Sequence, residues 1–250
     1  SGLQKSDLII LAARPAMGKT AFALSLALNA AVKGKASVMV FSMEMAKEQL
    51  GQRLLSMESK VPMQSLKTGK LERRDWDDIN IALDILSKAN IHIDDTAGIN
   101  IMEMKSKCRR LKAEEGLDLI VIDYLQLMNP EGKADSRTQE ISVISRNLKL
   151  LAKELNCPVL VLSQLSRAPE TRTDHRPMLS DLRESGSIEQ DADIVIFLYR
   201  DEYYNEDSEA HGECEVIVAK QRSGPTGTVK ITWLDKLTKF VDSMGSSGPG

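Results

Sequence analysis

Asp7-Leu8-Ile9-Ile10-Leu11-Ala12-Ala13-Arg14-Pro15-Ala16-Met17-Gly18-Lys19-Thr20-Ala21 is the stretch that decides the fold. The apolar run up to Ala13 reads as a buried strand, and the apolar segment from Ala21 to Ala31 reads as a helix. The turn between them ends in Gly18-Lys19-Thr20. A strand, such a turn and a helix form the context of a phosphate-binding loop. In that loop backbone N–H groups wrap phosphate oxygens, and the helix N-terminus adds its positive dipole end. The expected cradle is Arg14, Pro15, Ala16, Met17, Gly18, Lys19, Thr20 and Ala21. Lys19 reaches the β- and γ-phosphates of a nucleotide and Thr20 ligates magnesium. Ala13 stands where the usual pattern has its first glycine, and its methyl group is small enough for the loop to keep its shape.

Outward from this loop the chain alternates short apolar runs with helical periodicity. Strand candidates are Asp7–Ala12, Ser37–Ser42, Ile91–Asp95, Leu117–Tyr124, Pro158–Gln164, Asp193–Tyr199, Cys214–Lys220 and Thr228–Leu234. Over Arg137–Asn156, Ile141, Ile144, Leu148, Leu151 and Leu155 make one apolar stripe. The expected class is α/β with a P-loop: a mostly parallel twisted sheet with helices on both faces and right-handed crossovers. No helix separates the last two strands, and Ser223–Gly227 is turn chemistry, so a C-terminal β-hairpin is expected at the sheet edge. One domain is expected over residues 3–242, with 1–2 and 243–250 read as expression-linker residues. Two long loops, Met128–Ser136 and Leu165–Gln190, follow strands and should emerge at the carboxyl edge, where open α/β sheets bind ligands.

Composition narrows the classes. The 250 residues are 42% hydrophobic and 28% charged, which excludes a disordered or collagen-like chain. Apolar runs such as Leu119–Ile122 and Val159–Leu162 are far short of a bilayer span, so no membrane association is expected. The net charge of -3 gives no bulk attraction for nucleic acid, so any such contact must be local. Cys108, Cys157 and Cys214 form no Cys-x-x-Cys pair, which fits a reducing cytoplasm better than a disulfide scaffold or structural zinc site.

Three further polar residues stand at strand tips. Asp123 ends Leu119–Ile122, as a carboxylate associated with the phosphate loop's magnesium would. Glu44 follows Ser42 between Met43 and Met45, which should partly desolvate it. It is either the carboxylate that polarises an attacking water or an acid placed for the next helix dipole. Gln164 is either a γ-phosphate sensor or a polar strand terminus.

The ordered set of segments carries a resemblance. Ala12–Thr20, Phe41–Met45, Asp123–Leu127, Leu162–Arg167, Ser180–Asp193 and Lys220–Gly227 together resemble the C-terminal ATPase domain of the bacterial replicative helicases of the DnaB family, over roughly residues 3–242. The resemblance implies a RecA-like P-loop NTPase core and a hexameric ring around single-stranded DNA, with Mg2+ and ATP held between subunits. It makes Glu44 the catalytic carboxylate, Asp123 the acid that serves the metal beside Thr20, and Gln164 the sensor. Lys220 and Arg222 match a basic pair that reaches into the neighbour's site. Arg183, Glu184 and Gly186 match the DNA contact. Primase and a helicase loader are the partners it implies. The rivals are another RecA-like ATPase of recombination, a P-loop small-molecule kinase and a non-hydrolysing DNA clamp. Met43-Glu44-Met45 and Ser185–Asp193 favour the helicase over the first, and Glu44 with the trans arginine weigh against the kinase.

Overall fold

The computed structural model describes residues 2–125, 128, 136–182 and 186–243. Its strands are β1 (Leu8–Ala13), β2 (Val38–Ser42), β3 (Ile91–Asp94), β4 (Leu119–Asp123), β5 (Val159–Gln164), β6 (Ile194–Tyr199), β7 (Glu213–Gln221), β8 (Gly227–Leu234) and β9 (Lys239–Asp242). Every strand expected from the sequence is present within a residue or two of its bounds. The helices are α1 (Lys19–Val32), α2 (Lys47–Ser59), α3 (Met63–Thr68), α4 (Arg73–Ser87), α5 (Ile101–Glu114), α6 (Arg137–Leu155) and α7 (Gly186–Asp191).

The sheet runs β3-β2-β4-β5-β1-β6-β7-β8-β9, parallel as far as β6 and antiparallel beyond it. Period-two alternation makes each central strand serve two cores. On β1, Leu8, Ile10 and Ala12 face α5, α6 and α7, whereas Ile9, Leu11 and Ala13 face α1 and α2. All six residues of β1 are fully buried, so this strand is shared by both layers.

The C-terminal hairpin forms, but it is not the edge. β9 pairs antiparallel with β8, setting Trp233 opposite Phe240. Phe240 is buried edge-on against Phe22 of α1, and this packing recruits a strand of only four residues. Among its described residues, Leu165–Gln190 carries 3-10 turns at Ala168–Thr171 and Leu179–Asp181 and most of α7, where the sequence predicts a loop. Of the other expected loop, residues 129–135 lie outside the described residues. Among the described residues no helix is long and apolar enough to cross a membrane.

Candidate active site

Parallel pairing brings the carboxyl ends of β1, β2, β4 and β5 to one edge. Ser42 lies opposite Asp123 and Ala13 opposite Gln164. The Met43 N–H donates to the Asp123 carbonyl at 2.8 Å, so the turn after β2 is fixed to the tip of β4. A cavity of about 430 Å³ opens there, lined by Pro15, Ala16, Gly18, Lys19, Thr20 and Ala21 from the loop, and by Glu44 and Gln164. Arg53, Tyr124, Trp233 and Thr238 complete its wall.

The loop geometry suits an anion. Gly18 caps α1 at φ 96°, and having no side chain it leaves the helix's first N–H groups to a ligand. A Cβ on Gly18 would lie 2.9 Å from the Phe240 ring, so any larger residue would force that ring to shift. Lys19 donates from its ammonium to the Ala13 carbonyl at 3.1 Å. Burial pushes Lys19 below its ordinary pKa, while Asp123 and Glu44 pull it back up.

Thr20 Oγ1 donates to Asp123 Oδ2 at 2.7 Å. Asp123 is buried, and its Oδ1 has no hydrogen-bond partner among the described residues. Burial raises the Asp123 pKa, with the Thr20 hydrogen bond opposing. A hydroxyl and an orphaned carboxylate oxygen are hard donors that suit magnesium. These residues therefore fit the expected cation.

Glu44 is exposed rather than partly desolvated. Its flanking methionines pack into opposite cores, Met43 with α5 and α6 and Met45 with α1 and α2, leaving the carboxylate at the cavity mouth. Arg14 and Met17 are not in the cavity wall. Met17 is buried in the α1 core, and the Arg14 guanidinium turns to Glu170 and the Leu165 carbonyl. Between them Ala16 takes a left-handed conformation at φ 65°.

Sequence reasoning missed Arg53, Tyr124, Trp233 and Thr238. Arg53, on α2, lines the cavity; burial lowers its pKa, and the charges of Asp123 and Glu44 oppose that shift. Nothing in Lys47–Ser59 distinguishes it from a solvated helix cation. Trp233 Nε1 and Thr238 Oγ1 are buried without partners among the described residues.

Lys220 and Arg222 lie outside this cavity. Lys220 donates to the carbonyls of Glu189 and Ala192, the latter at 2.8 Å. Arg222 Nη2 donates to the Gln190 carbonyl at 2.5 Å, and its Nε lies 3.6 Å from Asp193 Oδ1. Both cations thus cover the C-terminal carbonyls of α7, where the helix dipole is negative. Arg183 and Glu184 lie outside the described residues, and Gly186 opens α7. Two other arginines of that segment are spent internally: Arg172 pairs with buried Asp181, and Arg176 makes a fork to Glu215 at 2.6 Å.

Comparison with known proteins places this geometry. Replicative DNA helicase DnaB of Geobacillus stearothermophilus is 56% identical over 97% of this chain and 54% of that protein. Replicative DNA helicase DnaC of Bacillus subtilis (strain 168) is 54% identical over 97% and 54%. The chain thus spans about half the length of the curated relatives it matches. Among solved structures, that of a DnaB-like replicative helicase and its interactions with primase matches with a TM-score of 0.93 and 44% identity, over 96% of this chain and 58% of that one. Residues 1–242 match throughout, and the chain belongs to the DnaB-like helicase C-terminal domain family.

Proposed function

We propose that this chain is the ATP-hydrolysing motor domain of a replicative DNA helicase, completed between subunits of a hexameric ring around single-stranded DNA. The observation that carries the reading is the convergence of Lys19, Thr20, Glu44, Asp123 and Gln164 on one edge of the sheet, around one cavity. The family match supports the motor reading over a kinase or a clamp.

Ala16 to Ala21 bind the phosphates through backbone N–H groups, Pro15 fixes the turn before them, and Lys19 and Arg53 neutralise their charge. Thr20 and Asp123 would hold magnesium, which would supply neutralisation of phosphate charge. Glu44 accepts the proton of the attacking water, and its exposure at the cavity mouth leaves it open to that water. Gln164 hydrogen-bonds the γ-phosphate or the water. Trp233 and Thr238 form part of the wall against which the nucleotide packs. Lys220 and Arg222 of one subunit serve the neighbour's nucleotide, where an arginine in trans is worth roughly 10³–10⁵ in rate. Arg183, Glu184 and Gly186 contact the DNA backbone. Such contacts carry little base information, as a translocating motor requires. A DnaB-like helicase is described with its interactions with primase. We extend primase, a helicase loader and a cytoplasmic location to the protein containing this chain.

The test mixes two inactive variants. Lys19→Ala and Arg222→Ala each lose ATPase activity alone. Mixed, they should regain a fraction of it, because some interfaces join an intact Lys19 to an intact Arg222. Wild-type turnover per subunit should rise with protein concentration and with added single-stranded DNA. Turnover indifferent to both, with no rescue on mixing, would mean a self-contained site of the kinase type.

A further inference from the structure

We propose that Arg14 is a positioning residue: it binds the end of β5 and the segment after it to the phosphate loop, and it is not a phosphate ligand. The inference rests on the ATPase reading above. Every nitrogen of the guanidinium is committed to that segment. Nη1 donates to the Leu165 carbonyl at 2.8 Å, and Nε and Nη2 both donate to Glu170 Oε1, at 2.9 and 2.5 Å. The Arg14 side chain is only 12% exposed, and it lies in a small cleft with Leu165, Pro169, His175 and Tyr204, apart from the nucleotide cavity.

The backbone beneath makes this a link between two parts of the site. The Ala13 carbonyl accepts from Lys19 Nζ at 3.1 Å and from the Leu165 N–H at 3.3 Å. Gln164 is the strand partner of Ala13, directly precedes Leu165 and lines the nucleotide cavity. Arg14 therefore clamps the residue next to Gln164 from one side while Ala13 holds it from the other. A displacement of about 1 Å at a catalytic group can cost roughly 10² in rate. The link also runs onward. Glu170 lies in the turn Ala168–Thr171, whose Pro169 carbonyl is 3.1 Å from His175 Nδ1. The His175 ring stacks on Tyr204 with centroids 4.4 Å apart. Phosphate occupancy is thereby communicated through Arg14 and Glu170 to residues 166–182, the lead-in to the proposed DNA contact. The planar fork of arginine suits one carboxylate and one carbonyl together, and lysine cannot reproduce it.

The experiment compares wild type, Arg14→Met, Glu170→Gln and the double variant, each checked by thermal melting. ATP hydrolysis is measured with and without single-stranded DNA, and the Kd of a non-hydrolysable ATP analogue is measured separately. Hydrogen exchange at residues 166–182 is followed with and without that analogue. The expected result is a Kd within about twofold of wild type, a kcat reduced roughly tenfold or more by Arg14→Met, and a double variant no worse than Arg14→Met alone. Analogue-induced protection of residues 166–182 should appear in wild type and vanish in all three variants. A Kd weakened tenfold or more by Arg14→Met, with Glu170→Gln silent, would make Arg14 a phosphate ligand and overturn the proposal. Independent, multiplying losses would also overturn it, because the two residues would then not act as one link. Wild type that binds the analogue without hydrolysing ATP sinks the motor reading instead, and the exchange data still decide the link.

Discussion

Asp123 is an acid whose charged form the fold disfavours. Burial holds its pKa above the ordinary 3.8 despite the Thr20 hydrogen bond and the charges of Lys19 and Arg53. Folding thus favours the protonated form. The stability this provides is fully present below the unfolded pKa and is lost as pH rises through the folded one. At neutral pH, without magnesium, Asp123→Asn should raise Tm, since the amide keeps the shape without the desolvated charge. Each kcal/mol moves Tm by about 2–4 °C in a chain of this size. The same variant should lose its magnesium-dependent hydrolysis. An unchanged or lowered Tm by calorimetry would contradict the burial argument. Glu44 makes the opposite case, because it is exposed and its removal should cost no stability. Glu44→Gln should lower kcat by roughly 10²–10⁴ at unchanged nucleotide Kd, measured by single-turnover hydrolysis and analogue titration.

The joint between α1 and β9 is where one element constrains another most tightly. The Gly18 backbone lies under the Phe240 ring, which is itself wedged against Phe22 and Trp233. Gly18→Ala should destabilise the chain by about 1–3 kcal/mol through overpacking, on top of the strain at φ 96°. Denaturant titration would read this as a lowered midpoint, and nucleotide affinity should fall with it. Elements of this kind mark the limit of what the sequence discloses. β1 through β8 are legible because each carries an uninterrupted or alternating apolar run. β9 is not, since Lys239-Phe240-Val241-Asp242 is too short to show a period. Arg53 is illegible for a different reason: an arginine on an amphipathic helix looks the same whether it meets open water or lines a cavity. Arg14 shows the converse, since a motif locates the loop's backbone while the direction of each side chain depends on φ values that the motif does not encode.

At the scale of the molecule, two cores on either side of one sheet leave no thiol accessible. Cys108 and Cys157 lie in the core under α5 and α6, and Cys214 in the core under α1. Burial pushes all three thiols up to about 12. Native chain should therefore resist alkylation by iodoacetamide at neutral pH, and all three cysteines should react together in denaturant, counted by mass spectrometry. Modification of one cysteine in the native state would reveal a local opening of its layer. The carboxyl-edge placement of Lys19, Thr20, Glu44, Asp123 and Gln164 follows from topology once the strands are known, which is why the centre of the site is legible in the amino-acid sequence. The lateral wall from α2, β8 and Thr238 is not, because it depends on how the antiparallel extension folds back over α1.

The cations capping α7 have a consequence for assembly. Lys220 and Arg222 already hold carbonyl partners within their own chain. In the proposed ring, docking of a neighbouring subunit would be an exchange of acceptors, phosphate for carbonyl, so that part of the charge-assisted gain is offset by the carbonyl bonds given up. The same exchange would uncover the C-terminal end of α7 on the subunit that donates the cations.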